Sequence, residues 1–156
     1  MESSGARQGY GRFWSTFNQA YWAMIRVAEQ ELRTLDLTMI QAAVLYWVKT
    51  SKSPPTPADL SRLLFRRPHT VLDLLGRMEK QGLVKRTRDP KRKNVSRIVL
   101  TRKGEEAFKR QKEVRGIAGI LSELTPEEGE TVLAALEKLR KRAMEELKSG
   151  LSAPYG

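Results

Sequence analysis

Two helix starts stand eleven residues apart in the middle of this 156-residue chain, and the interval between them holds only one short helix. The first start is Thr56-Pro57-Ala58-Asp59. Thr56 can accept a backbone N–H of the first turn, Pro57 has no N–H to leave unpaired there, and Asp59 can return a bond to the Thr56 backbone. The second start is Arg67-Pro68-His69-Thr70, opening a helix expected to run to Gln81, where Gly82 supplies the stop. On it Val71, Leu74, Leu75 and Met78 share one face, and His69, Asp73, Arg77 and Lys80 share the opposite one. Leu83–Arg88 then reads as a short strand, Asp89 to Asn94 as a charged turn, and Val95–Leu100 as an alternating second strand.

Longer helices flank this centre. From Gly11 to about Thr34, Phe13, Trp14, Phe17, Tyr21, Met24, Ile25 and Ala28 recur at helical steps. Leu35 to Thr38 break the pattern before a helix from Met39 to Lys49, apolar nearly all round and expected at the centre of the core. Ser51 to Pro57, with three prolines, is a loop. Thr101 can cap a fifth helix reaching about Leu121, although Gly104, Gly116 and Gly119 weaken it. Thr125-Pro126-Glu127-Glu128 opens a last helix to about Leu147, with Val132, Leu133, Leu136, Leu139, Ala143 and Leu147 along one stripe. Residues 1–10 and 149–156 are expected to be flexible termini.

The formal net charge is +11, and all of the excess lies in the centre. Residues 51–115 hold 19 Lys/Arg and seven Asp/Glu, against 10 and 11 elsewhere. From Lys85 to Lys103 nine basic residues accompany Asp89 alone. A cationic centre between neutral ends is a binding surface for a polyanion carried on a scaffold. With no Cys and one His, disulfides, thiolate nucleophiles, cysteine-ligated zinc and His-rich metal sites are excluded. No glycine-rich phosphate loop or partnered histidine is present either, so neither an enzyme nor a cofactor is expected. No apolar run approaches the about 18 residues of a membrane span. The N-terminus has no basic stretch followed by an apolar one, so a cytoplasmic protein without membrane contact is expected.

The order of elements is that of a mainly α winged helix-turn-helix over residues 36–104. The helix from Arg67 would enter a major groove while the basic hairpin turn reaches the neighbouring minor groove. The expected double-stranded-DNA face comprises Arg66, Arg67, His69, Thr70, Asp73 and Arg77, together with Arg88, Lys91, Arg92, Lys93 and Arg97 on the hairpin. Thr70 can touch a thymine methyl or a phosphate, and Arg77 a phosphate. Asp73, an acid on a DNA face, must either accept from a cytosine amine or orient Arg66, Arg77 or a neighbour.

Leu37 to Leu45, Ala58 to Leu64, Val71 to Val84 and Leu100-Thr101-Arg102-Lys103-Gly104, in this order and spacing, resemble the MarR family (multiple antibiotic resistance regulators) over roughly residues 11–148. The family wing usually carries an Asp-x-Arg pair. Here Asp89-Pro90-Lys91-Arg92 has one residue more, with Arg92 as the wing-tip arginine. The resemblance implies a homodimer formed by the terminal helices, about 11–34 and 105–148. Their apolar stripes agree, because one small central domain cannot cover them. It also implies a small, often aromatic effector between the dimerisation helices and the DNA-binding lobe. The aromatic residues of the first two helices read first as packing. Trp22, off the main stripe, and Tyr46, with its hydroxyl, are the candidates for an effector pocket. The function expected is a dimeric repressor of a palindromic operator. The alternative is a winged helix that docks RNA or a protein partner through the same basic face.

Overall fold

The computed structural model describes the backbone of residues 3–149 and the side chains of residues 9–147. The chain forms two compact units divided after Ile117. The first contains α1 (Ser3–Arg33), α2 (Met39–Thr50), α3 (Pro57–Leu63), α4 (Pro68–Lys80), β1 (Val84–Arg88), β2 (Ser96–Leu100) and α5 (Arg102–Lys112). α6 (Gly116–Leu121) crosses the division, and the second unit carries α7 (Pro126–Ser149). β1 and β2 pair antiparallel with Val84 opposite Leu100 and Arg88 opposite Ser96. The fold is a mainly α winged helix-turn-helix, and no described helix is long and apolar enough to cross a membrane.

The core of the first unit gathers Leu32, Leu37, Val44, Leu45, Leu60, Val71, Leu74, Leu75, Met78, Val84, Ile98 and Phe108. All four apolar residues expected on the inner face of α4 are buried. Each fully buried leucine contributes about 1.5–3 kcal/mol. α2 is less central than its composition implies, since Tyr46 stands half exposed. A capping box at Thr38 and Gln41 starts α2, and the Thr56–Asp59 box starts α3 as expected. The Thr125–Glu128 box forms as well, starting α7.

α1, α3 and α4 end in the same motif. The residue after the cap takes a left-handed conformation, and the next N–H bonds back to a carbonyl inside the helix: Leu37 to Leu32, Arg66 to Ser61, Leu83 to Met78. The left-handed positions are Asp36, Phe65 and Gly82, with φ of 55°, 50° and 72°. Glycine adopts that conformation without steric cost, whereas a bulky L-residue there costs about 1–2 kcal/mol. Phe65 bears that cost in the turn between α3 and α4, with its ring 54% exposed.

Two boundaries differ from the sequence expectation. α1 begins at Ser3, so residues 3–10 are helical and not a tail; only glycines interrupt this stretch, and they weaken a helix without ending it. Residues 1, 2 and 150–156 of the expected flexible termini lie outside the described residues. The single helix expected from Thr101 to Leu121 is divided into α5 and α6. The break has a tertiary cause: the Gly116 N–H donates to Glu31 Oε1 of α1 at 2.8 Å. A Cβ on Gly116 would sit 2.6 Å from Glu31 Oε2 and 2.7 Å from Val27 Cγ1, so any larger residue would have to displace these two side chains.

Candidate nucleic-acid interface

α4 is held at its C-terminal end and open at its N-terminal end. Gln81, its cap, accepts from Gln41 Nε2 at 2.7 Å through its side chain and from Lys103 Nζ at 2.8 Å through its carbonyl. Arg86 of β1 pairs with Glu79 at 3.1 Å, fixing the hairpin against the same end. At the other end Arg66, Arg67, His69 and Thr70 are exposed, followed on the outward face by Leu72, Asp73 and Arg77. The sequence reading placed these basic residues together, and the structure does bring them to one side of α4. It missed Leu72, which stands 43% exposed beside Pro68 in a groove also lined by Arg62, Arg86 and Arg92. The helical wheel could have found it, because Leu72 lies off the buried stripe. Asp73 forms no ion pair among the described residues, so it does not orient Arg66 or Arg77 within the chain.

The wing turn is organised by Asp89, whose side chain is 5% exposed. Its Oδ1 accepts the backbone N–H groups of Lys91 and Arg92, each at 2.8 Å, and its Oδ2 accepts Arg97 Nε at 2.5 Å. The Arg97 bond, followed by the Lys91 and Arg92 N–H groups, holds the Asp89 carboxyl below the usual carboxylate range. Asp89 therefore fixes the backbone under Arg92 and leaves the Arg92 side chain to project. Lys91, Arg92, Lys93 and Arg88 are all exposed.

Arg97 differs from the expected DNA contact. Its second nitrogen, Nη1, donates to the Pro54 carbonyl at 2.8 Å, and the adjacent Ile98 N–H donates to the Pro55 carbonyl at 2.9 Å. Arg97 thus faces inward as a brace between the wing and the loop that leads into α3. No local pattern links Asp89 with a residue eight positions on across a turn, so sequence reading had no signal for this pair. The Asp59 carboxyl is likewise held low, by the Thr56 backbone and hydroxyl and then by Arg62.

A second feature of the first unit is a cavity of about 280 Å³ between α1, α2 and α5. Ala28, Leu32, Met39, Tyr46, Trp47 and Val114 supply most of its wall. Tyr46 was expected there. Trp22 lies elsewhere, 62% exposed and edge-on to Tyr21, and Trp47 is the tryptophan of the cavity. Among the described residues no Lys, Arg or His lines it. Beside the Tyr46 hydroxyl and the Trp47 indole it has Gln111, whose Nε2 donates to the Ala42 carbonyl at 3.0 Å while its buried Oε1 has no partner among the described residues. Nor could any described group of three His, Asp or Glu hold a metal ion.

A helix with an open cationic end beside a braced basic loop has the shape of a duplex reader. Residues 35–93 match the MarR family model. The chain superposes on the ligand-free organohalide-sensing RdhR-CbdbA1625 transcriptional regulator with a TM-score of 0.75 and 27% identity, covering 90% of this chain and 84% of that one. Over residues 35–93, which span the helix-turn-helix and the first strand of the wing, the chain is similar to the MarR family. A mutant MarR from E. coli, solved in complex with operator DNA, aligns over 83% of this chain and 91% of its own, with a TM-score of 0.68 and 25% identity. An HTH-type transcriptional regulator of Bacillus subtilis (strain 168), YybA, is 27% identical over 139 residues, which is 85% of this chain and 91% of that protein. These relatives are transcriptional regulators and not enzymes.

Proposed function

We propose that this chain is a homodimeric MarR-family repressor that binds a palindromic DNA operator through α4 and the wing, and that a small neutral aromatic compound in the α1–α2–α5 cavity releases it. The observation that carries the reading is the division of α4: Val71, Leu74, Leu75 and Met78 are buried, while Arg66, Arg67, His69 and Arg77 stand outward beside the basic wing. Arg67, His69 and Thr70, at the start of α4, reach base edges. Asp73 accepts from a cytosine amine. Arg66, Arg77, Arg88, Lys91 and Lys93 hold phosphates, and Arg92 enters the minor groove. The uncovered apolar side chains of α1 and α7 supply the dimer contact, which sets two recognition helices about 34 Å apart on one face of a duplex.

The cavity supports an uncharged effector. A carboxylate would enter it without a cation to meet it, which is costly. An aromatic ring with one O–H or N–H donor would fill the apolar volume and satisfy Gln111 Oε1. The similar RdhR-CbdbA1625 regulator has been solved bound to 2,4-dichlorophenol, a compound of this class. Selection of duplexes from a random pool by the full chain, at two salt concentrations, tests the DNA reading. A palindrome retained at the higher salt supports it, and equal retention of every polyanion rejects it. Titration of the selected complex with phenols should quench Trp47 fluorescence as DNA is released, and Gln111→Leu should weaken that response.

A further inference from the structure

Glycines in the winged helix-turn-helix have reasons inside the chain, with one exception. Gly82 occupies a left-handed turn, and a Cβ on Gly104 would lie 2.0 Å from the Leu83 carbonyl oxygen. Gly76 lies in the middle of α4, where glycine weakens a helix relative to alanine. No heavy atom would come within 4 Å of a Cβ placed there, beyond its own helix and chain neighbours. Nothing among the described residues requires it. Gly76 stands one turn after Leu72, on the outward side of the helix that carries His69, Asp73 and Arg77. The other glycines with empty surroundings, Gly9, Gly11, Gly119 and Gly129, all fall in α1, α6 and α7.

We infer that Leu72 and Gly76 form a notch on the recognition helix that admits the 5-methyl group of a thymine in the major groove. The inference rests on the reading of α4 as the DNA-reading helix. The missing Cβ lets the α4 backbone approach the base edges more closely than an alanine would. Leu72 then meets the methyl, which is the apolar group that distinguishes thymine in that groove. The basic residues on either side of the notch fix the occupant as a nucleic acid duplex.

The test uses the full chain, the duplex it selects from a random pool, that duplex with single thymidines replaced by deoxyuridine, and a scrambled duplex of equal composition. Wild type should lose about fourfold in affinity at one deoxyuridine position per half-site, the worth of one buried methyl group. Leu72→Ala should lose nothing further at that position. Gly76→Ala should melt about 2–4 °C higher, bind the selected duplex about tenfold or more weaker, and bind the scrambled duplex as wild type does. Undiminished binding of the selected duplex by Gly76→Ala would overturn the inference, as would a wild-type scan with no deoxyuridine effect, which needs no variant to fold. In both cases the selection itself still supports the regulator. Failure of the wild type to enrich any sequence would overturn the regulator reading and the notch with it.

Discussion

The central lobe and the terminal helices treat their apolar side chains in opposite ways. Between Leu37 and Phe108 the leucines, valines and Met78 that form the inner faces of α2, α3 and α4 are buried. On α1 and α7 the stripes stay in contact with solvent: Phe13, Trp14, Phe17 and Tyr21 on one, Val132, Leu133, Leu136 and Leu139 on the other. α4 in the lobe and α1 and α7 outside it all have apolar stripes at helical spacing, so periodicity alone did not decide which face would be covered. The central helices are short and joined by tight turns, which lets their stripes converge on one centre. A helix of 24 residues, such as α7, carries its stripe along about 36 Å, farther than a lobe this small can cover. The lobe closes its own core, and the stripes of the terminal helices remain exposed.

The most severe way to break this contrast is deletion of residues 125–156. It should yield a monomer or an insoluble product by sedimentation, with operator affinity down at least about 100-fold because two linked half-site contacts become one. A well-folded dimer after deletion would contradict the division. Next in size, Leu75→Ala in the lobe should cost about 2–5 kcal/mol in thermal unfolding, independent of protein concentration. Leu139→Ala on the α7 stripe should cost less, and its effect should shrink as concentration rises.

Substitutions on the DNA face should leave assembly untouched. Arg67→Ala and Thr70→Ala should cost about 1–3 kcal/mol on the selected duplex alone. Arg92→Ala should weaken all duplexes alike and reduce the salt slope by about 0.9. The smallest effect concerns the wing. With its pKa lowered, Asp89 contributes fully above the ordinary carboxylate value of about 3.9, and the contribution is lost as pH falls through the lowered value. Protection of the Lys91 and Arg92 amides, taken relative to intrinsic exchange at each pH, should fall as pH drops through the lowered value, and Asp89→Asn should show reduced protection already at neutral pH.

Local chemistry was legible in the sequence. The Thr56–Asp59 and Thr125–Glu128 capping boxes, the Gly82 stop and the inner face of α4 each depend on steps of no more than four positions along the chain, and each formed as read. Features set by residues far apart in the chain were not legible. The α5–α6 break depends on Glu31, 85 residues before Gly116. Arg97 reads as one more wing cation until Pro54 and Asp89 are seen beside it. Trp22 and Trp47 both stand in aromatic-rich helices, and only the packing of α1, α2 and α5 places Trp47 at the cavity.

The polar contacts of α4 gather at Gln81, while its inner face is packed from Val71 to Met78. Gln41, which grips Gln81, adjoins Ala42, whose carbonyl holds Gln111 at the cavity. The 13 residues of α4 span about 20 Å. A rotation of about 5° around the gripped end would carry His69 and Thr70 sideways by roughly 1.7 Å over that length. Hydrogen bonds to base edges tolerate only a few tenths of an ångström in length. On the proposed DNA reading, a displacement of that size at His69 and Thr70 would exceed what such hydrogen bonds allow.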